Sequence, residues 1–363
     1  SLHDALPICH LDARGRRQCV MVGYSDTNKE GGLCASRVAV YRAEQVLAAT
    51  LTSAEERHVI FHGRGGSVAR GGGRIDALLR AAPPESLNGV LRLTEQGEII
   101  NQNYGLRPIA LRTLERAFHA LALGTAASLR GAPARVAPQY LAAAERLADT
   151  SRAAYRSLVH EDHGFFEYFC AATPIDAIER MQIGSRPAWR DDVHALDALR
   201  AVPWVFAWTQ SRCMLPGWYG AGTGLADLIA ASGAAFLREA CEGWFFLRNL
   251  VDDVETMLAR TDLEIARRYD ALAGAQPWFA RIEAEHARAC EAVLAIKGYG
   301  ELLDGDPTLQ RSIRLRNPYV DPMNLMQVDL LARWRATRRQ DRDLFEALLA
   351  SISGIAQGLQ STG

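Results

Sequence analysis

Apolar residues along the chain follow two rhythms. In the first 210 or so positions, short unbroken apolar runs stop at glycine or a polar residue, as buried parallel strands do when they hand the chain to a loop. Cys19-Val-Met-Val-Gly-Tyr24 leads into Ser25-Asp26, and Val59-Ile-Phe61 leads into His62-Gly63-Arg64. A weaker run covers Gly97-Glu-Ile-Ile100, and Val202-Pro-Trp-Val-Phe-Ala-Trp208 leads into Thr209-Gln-Ser-Arg212. Each run predicts a strand. Elsewhere the period is helical. Ser36–Leu51 and Ile109–Leu129 repeat apolar residues at i, i+3 and i+4. Thr173-Pro174-Ile-Asp176 predicts a helix start, with Thr as the cap, Pro at the first helical position and an acid three residues after the cap. Asp321-Pro322 repeats that signal before Met323–Arg339, where Met326, Leu330, Leu331 and Trp334 form a stripe.

From about residue 225 onward nearly everything reads as long amphipathic helix. Strands followed by a helical tail predict a helix-rich α/β fold, part of an α/β barrel wrapped by many helices. Residues 1–17 read as a poorly defined start, with Ser1–Asp12 joining badly to the apolar run at 19–24. Residues 18–224 read as a partial barrel carrying loops, and 225–363 as a helical region continuous with it. Residues 131–137 predict a flexible connector.

Composition narrows this picture. With 363 residues, 48% hydrophobic and 23% charged, the chain can bury a core, and disordered, collagen-like and coiled-coil classes are excluded. Basic and acidic residues number 41 and 42, so no surplus advertises binding to nucleic acid or an anionic membrane, and any anion site must be local. The uncharged runs 117–129 and 213–226 fall short of the ~18–20 apolar residues of a membrane span, and no basic-then-apolar leader opens the chain. The seven cysteines are scattered without C-x-x-C spacing. They read as reduced thiols of a cytoplasmic protein and argue against zinc.

The most informative segment is His62-Gly-Arg64-Gly-Gly-Ser-Val-Ala-Arg70-Gly-Gly-Gly73, in which six of twelve residues are glycine. Glycine lets backbone N–H groups approach a ligand, and guanidinium forks match phosphate or carboxylate. Such a segment suits a loop closing over an anionic substrate, although an exposed linker has the same composition. It is neither a Walker A loop nor a clean G-x-G-x-x-G. Asp26, at a strand end with Lys29 three residues on, is a natural Mg²⁺ ligand beside an anion contact, but one carboxylate is not a metal site and a turn cap looks the same. Arg180, Arg186, Arg200 and Arg212 flank the Trp204/Trp208 run and together would serve one anionic ligand, while each singly reads as a salt-bridge former. The two tryptophans read as barrel or sheet packing. His160 and His163, beside Glu161 and Asp162, have a spacing open to metal that a solvated helix end also explains.

Taken in order, V-M-V-G-Y-S-D-T-N-K (20–29), F-H-G-R-G-G-S-V-A-R-G-G-G (61–73), R-M-Q-I-G-S-R-P (180–187), L-R-A-V-P-W-V-F-A-W-T-Q-S-R (199–212), L-R-N-P-Y-V-D-P-M-N (315–324) and the terminal S-G-I-A-Q-G-L-Q-S-T-G (353–363) resemble phosphoenolpyruvate carboxylase. The resemblance runs from about residue 18 to 363 and covers the C-terminal part of a family member, somewhat under half. It implies formation of oxaloacetate and phosphate from phosphoenolpyruvate and bicarbonate with Mg²⁺ or Mn²⁺, through carboxyphosphate and the pyruvate enolate. It also implies an enlarged (β/α)8 TIM-type barrel and a tetramer. By position, Asp26 is then a metal ligand with Lys29 its neighbour. His62, Arg64 and Arg70 belong to the loop guarding carboxylation, and Arg186 and Arg200 reach the substrate phosphate.

The family's catalytic His segment, a metal-binding Glu and a further phosphate-binding Arg are expected upstream, which implies that this chain alone is inactive. Ala69 stands where Gly is usual. Inhibited members grip a dicarboxylate with a Lys, two Arg and a near-terminal Asn. Here Arg70 and Arg316 match the two Arg, while Arg260 replaces the Lys and Ser361 the Asn, implying weak inhibition by aspartate or malate. Two other readings compete. A catalytically silent anion-binding or interaction module would keep the same barrel portion, and an unrelated nucleotide-binding enzyme would explain only the Gly-rich loop.

Overall fold

The computed structural model of the protein describes residues 17–54, 57–95, 97–130, 136–181, 187–190, 195–274 and 276–361. The expected junction at 1–12, most of the connector at 131–137 and Arg186 lie outside them. Two predicted strands are present: β1 (Arg17–Gly23) and β2 (Arg57–Gly63). They pair in parallel from Arg17↔Arg57 to Gly23↔Gly63, and a two-residue β3 (Arg92–Leu93) pairs in parallel with the far side of β2. Among the described residues the sheet is this open three-stranded one. The helix-rich α/β class holds, and a closed barrel is not seen in these residues.

The helices run in chain order as α1 (Ser25–Ser53), α2 (Ile75–Ala81), α3 (Gly97–Tyr104), α4 (Arg107–Leu129), α5 (Pro138–Val159), α6 (Phe165–Ala171), α7 (Ile175–Ile178) and α8 (Ala201–Gln210). They continue as α9 (Ala221–Ser232), α10 (Ala234–Gly243), α11 (Phe245–Arg260), α12 (Leu263–Asp270), α13 (Trp278–Lys297), α14 (Pro307–Ala336) and α15 (Arg342–Leu359). No single helix among them is long and apolar enough to cross a membrane. Helix α1 packs on α5, α5 on α9, and α9 on α13, while α14 lies along α15. One apolar cluster runs from Leu33 of α1 to Leu359 of α15.

Two expected strands are helices. Gly97–Ile100 opens α3, and the third strand forms instead at Arg92–Leu93. The run 202–208 lies in α8, where nine of ten residues are buried, so no polar face marks the helical period. Trp204 and Trp208 therefore pack edge to face, 5.7 Å apart, within a helical core beside Phe169 and not on a sheet. The helix-start signals also shift. Thr173 Oγ1 donates back to the Phe169 carbonyl and caps nothing. Asp321-Pro322 lies inside α14, which is capped at its true start by Asp306, whose carboxylate accepts from the Leu309 amide at 3.0 Å, with Pro307 in the first turn. Proline at an acid-proline pair marks a start only when the preceding chain is not already helical.

Arg212, which follows α8, ties the end of that helix to α14 and to the start of α12. Its guanidinium is 1% exposed and donates to Asp321 at 2.7 Å and Asn317 at 3.0 Å, while its backbone carbonyl accepts from the Asp262 amide. The residue is thus a buried tie and not a surface salt-bridge former. Arg212→Met is expected to lower stability by about 3 kcal/mol, because it strands partly buried carboxylates without their partner. Urea unfolding checks this: the midpoint should fall at constant m-value, and a loss under about 1 kcal/mol would mean the pair behaves as a surface contact.

Candidate active site

Because β1 and β2 end level at Gly23 and Gly63, the residues after each leave the sheet side by side at its carboxyl edge, where parallel sheets present ligand-binding loops. Three buried side chains meet there. Tyr24 Oη lies 2.9 Å from His62 Nδ1 and donates to Glu44 Oε1 at 3.4 Å, and that carboxylate oxygen is 3.3 Å from the same imidazole nitrogen. Burial, reinforced by the Glu44 charge, pushes the Tyr24 phenol well above its ordinary range, so its proton stays in place.

The Gly-rich loop folds down on this cluster through a 3₁₀ turn at Val68–Arg70. The Arg70 amide donates to Ser67 at 2.9 Å, Gly72 to Ser67 at 2.6 Å, and Gly65 to Arg70 at 2.7 Å. Gly71 and Gly72 show why the loop needs glycine. Gly71 has φ +84°, and a Cβ there would lie 2.6 Å from the Tyr24 ring; at Gly72 a Cβ would lie 2.1 Å from the Gly66 carbonyl oxygen. Arg64 is buried, with Nε donating to Gly71 at 2.6 Å and Nη2 to Gly73 at 2.8 Å. Arg70 is also buried, and its Nε donates to Ser25 Oγ at 3.4 Å. Behind the loop lies a small recess, lined in part by Tyr24, Glu44, Arg64 and the Arg37–Asp253 ion pair.

Asp26 and Lys29 sit on the short first segment of α1, which ends where Gly32 leaves helical geometry at φ 78°, ψ 171°. The Asp26 carboxylate is 69% exposed and accepts from Arg190 at 2.9 Å. Lys29 is 1% exposed, with Glu30 3.6 Å from its ammonium. Burial pulls its pKa below the ordinary 10.5, and the Glu30 and Asp197 charges only partly oppose that. Arg190 and Arg200 belong to one antiparallel bridge, Trp189↔Leu199, in which the Arg200 amide donates to Ala188 at 2.9 Å. Arg200 precedes α8 as its cap residue, not as a strand end, and its Nε donates to the Pro187 carbonyl at 3.0 Å.

The structure therefore brings Lys29 near Arg190, which holds Asp26 and shares a bridge with Arg200, and gathers His62, Arg64 and Arg70 around Tyr24. Arg260, Arg316 and the C-terminal end lie together. Arg316 donates to the Leu359 carbonyl at 3.0 Å, the Ser361 amide donates to Ala356, and burial together with Arg316 pulls the Arg260 guanidinium below its ordinary value. His160 Nε2 lies 3.2 Å from the Lys29 carbonyl, so it braces α1.

Sequence reasoning passed over Glu44, Arg37, Asp253 and Arg190. Glu44 did leave a signal, because Tyr41, Glu44 and Ala48 fall on one buried stripe of α1 and an acid there needs a partner. A divalent cation needs more than Asp26 offers. Among the described residues no group of three His, Cys, Asp or Glu side chains could hold a metal ion.

A family model described as phosphoenolpyruvate carboxylase matches residues 2–363. A phosphoenolpyruvate carboxylase of Xanthomonas campestris pv. campestris is 47% identical over 358 residues, covering 98% of this chain and 39% of the relative. Proteins of the same name from Azorhizobium caulinodans and Bradyrhizobium diazoefficiens are 43% and 42% identical, covering 97% and 100% of this chain but 38% and 39% of their own lengths. The chain thus spans about two-fifths of the curated relatives it matches.

The buried ammonium gives a pH-dependent prediction. Lys29 releases its proton more readily folded than unfolded, so between its depressed value and 10.5 the unfolded chain binds more protons and stability rises with pH. Lys29→Met is expected to raise the Tm near neutral pH, with the gain shrinking as pH climbs through that window. Thermal melts of both proteins across the range test it, and a gap that is absent, negative or constant with pH contradicts the account.

Proposed function

The chain belongs to the phosphoenolpyruvate carboxylase family, and we propose that it supplies part of the active site for carboxylating phosphoenolpyruvate with bicarbonate to oxaloacetate and phosphate. The observation that carries this reading is the Gly-rich loop seated on the ends of β1 and β2, with His62, Arg64 and Arg70 on one side and the segment bearing Asp26 and Lys29 on the other.

In this reading Arg186 and Arg200 grip the substrate phosphate, for which a planar fork is the best-matched side chain. Lys29 holds a fixed positive charge in a site that excludes water, where charge acts most strongly on developing negative charge. The loop shields carboxyphosphate and the pyruvate enolate from water, with His62, Arg64 and Arg70 facing the carboxylation step. A divalent cation, Mg²⁺ or Mn²⁺, supplies further charge neutralisation when bound, with Asp26 as one ligand and the rest from polypeptide outside the described residues. The barrel, the tetramer and the cytoplasmic setting belong to the same reading, as does a dicarboxylate site at Arg260, Arg316 and Ser361 with Arg70.

One observation favours a second reading. Arg64 and Arg200 both donate to main-chain carbonyls, a structural use of the guanidinium that a catalytically silent module would keep.

The purified 363-residue chain is expected to form no oxaloacetate from phosphoenolpyruvate and bicarbonate, since Asp26 alone makes a poor cation site. A coupled assay decides this, and turnover above background contradicts it. In a full-length protein carrying these residues, Arg70→Ala is expected to let phosphate release outrun oxaloacetate formation, because the intermediate escapes an unguarded site. Arg200→Ala should instead raise KM for phosphoenolpyruvate. Both products are measured in one reaction, and a ratio that stays at unity for Arg70→Ala removes the proposed guarding role.

A further inference from the structure

We propose that Glu44 is a positioning residue for His62, holding the proton of the neutral imidazole on Nδ1 and leaving Nε2 as the basic nitrogen. The proposal rests on the preceding reading only for the use made of His62. Its geometry stands separately.

Glu44, Tyr24 and His62 are 2%, 3% and 5% exposed, so their polar atoms must satisfy one another. A carboxylate only accepts, a phenol donates one hydrogen, and a neutral imidazole donates from one nitrogen. Suppose Tyr24 donated to Nδ1. Glu44 Oε1, 3.4 Å from the phenol and 3.3 Å from the ring nitrogen, would then face two groups with no hydrogen to give. With the proton on Nδ1, the ring donates to Tyr24 Oη at 2.9 Å and Tyr24 donates onward to Glu44, and every group is served. A protonated Glu44 would permit the reverse relay. That relay puts the ring proton on Nε2, so the nitrogen-15 spectrum separates it from the arrangement proposed. The orientation of a histidine by an acid at its far nitrogen is a general means of choosing which nitrogen does chemistry.

The test is nitrogen-15 NMR of the full 363-residue chain labelled at histidine, recorded where the rings are neutral, with the His62 signals identified by their loss in His62→Gln. The expected spectrum has Nδ1 in the protonated position and Nε2 in the unprotonated one. Glu44→Leu should reverse the two, because Tyr24 then turns its hydrogen toward Nδ1. Tyr24→Phe should preserve the wild-type pattern, since the carboxylate remains in reach of Nδ1. A wild-type proton on Nε2 overturns the proposal even if Glu44→Leu fails to fold, and so does a folded Glu44→Leu with Nδ1 still protonated. The spectrum is read without substrate, so failure of the carboxylation assay leaves it untouched.

Discussion

Level termination of two parallel strands is the constraint on which the rest of the site depends. Parallel pairing in the register Gly23↔Gly63 leaves no freedom over where the next residues emerge. Tyr24 and Arg64 therefore leave the sheet as neighbours although 40 positions separate them in sequence. A shift of one residue would send every strand side chain to the opposite face, exposing Val22 and Ile60 and withdrawing His62 from Tyr24. The loop is held by this geometry more than by its own composition. Its glycines permit contact with the Tyr24 ring and the Gly66 carbonyl, but the strands decide what is there to be contacted.

Around this edge the protein buries three positive charges. Lys29, Arg64 and Arg70 are all under a tenth exposed. Arg64 donates to the main-chain carbonyls of Gly71 and Gly73, and Lys29 faces the half-exposed Glu30, with the Asp197 charge also acting on it. Desolvated cations with partial compensation are costly to fold. The contrast with Arg212 is instructive, because that buried guanidinium is ringed by Asp321, Asn317 and Asn324. That cation has both terminal nitrogens matched and fastens the helical core. Lys29 instead carries a charge that Glu30 and Asp197 only partly oppose, which is the property an anionic ligand would exploit.

Much of this edge was legible in the sequence because it depends on local pattern. The runs at 19–24 and 59–61 form strands, and the segments after them supply Asp26, Lys29, His62, Arg64 and Arg70. Where environment overrides pattern, legibility ended. The run at 202–208 reads as a strand because α8 is wrapped on all sides and shows no polar face. Asp321-Pro322 reads as a helix start because an internal proline and a capping one look alike until the turn before them is known. Glu44 had no motif at all. Its meaning lies in a carboxylate meeting a tyrosine and a histidine from two other elements, a juxtaposition that exists only after the sheet has formed.

The break at Gly32 separates two duties that one continuous helix would have tied together. Beyond it, Leu33, Cys34, Val38 and Tyr41 are embedded in the core; before it lie Asp26 and Lys29. At φ 78° the backbone there is open to glycine and strained for other residues, and the Tyr155 ring closes the remaining space. A repacking of the core that rolls the longer segment about its axis is thus absorbed at one residue instead of being passed on as a rotation of the carboxylate and the ammonium. Sequence drift in the hydrophobic interior is in this way kept from turning Asp26 and Lys29, and Gly32 itself is little free to drift with it.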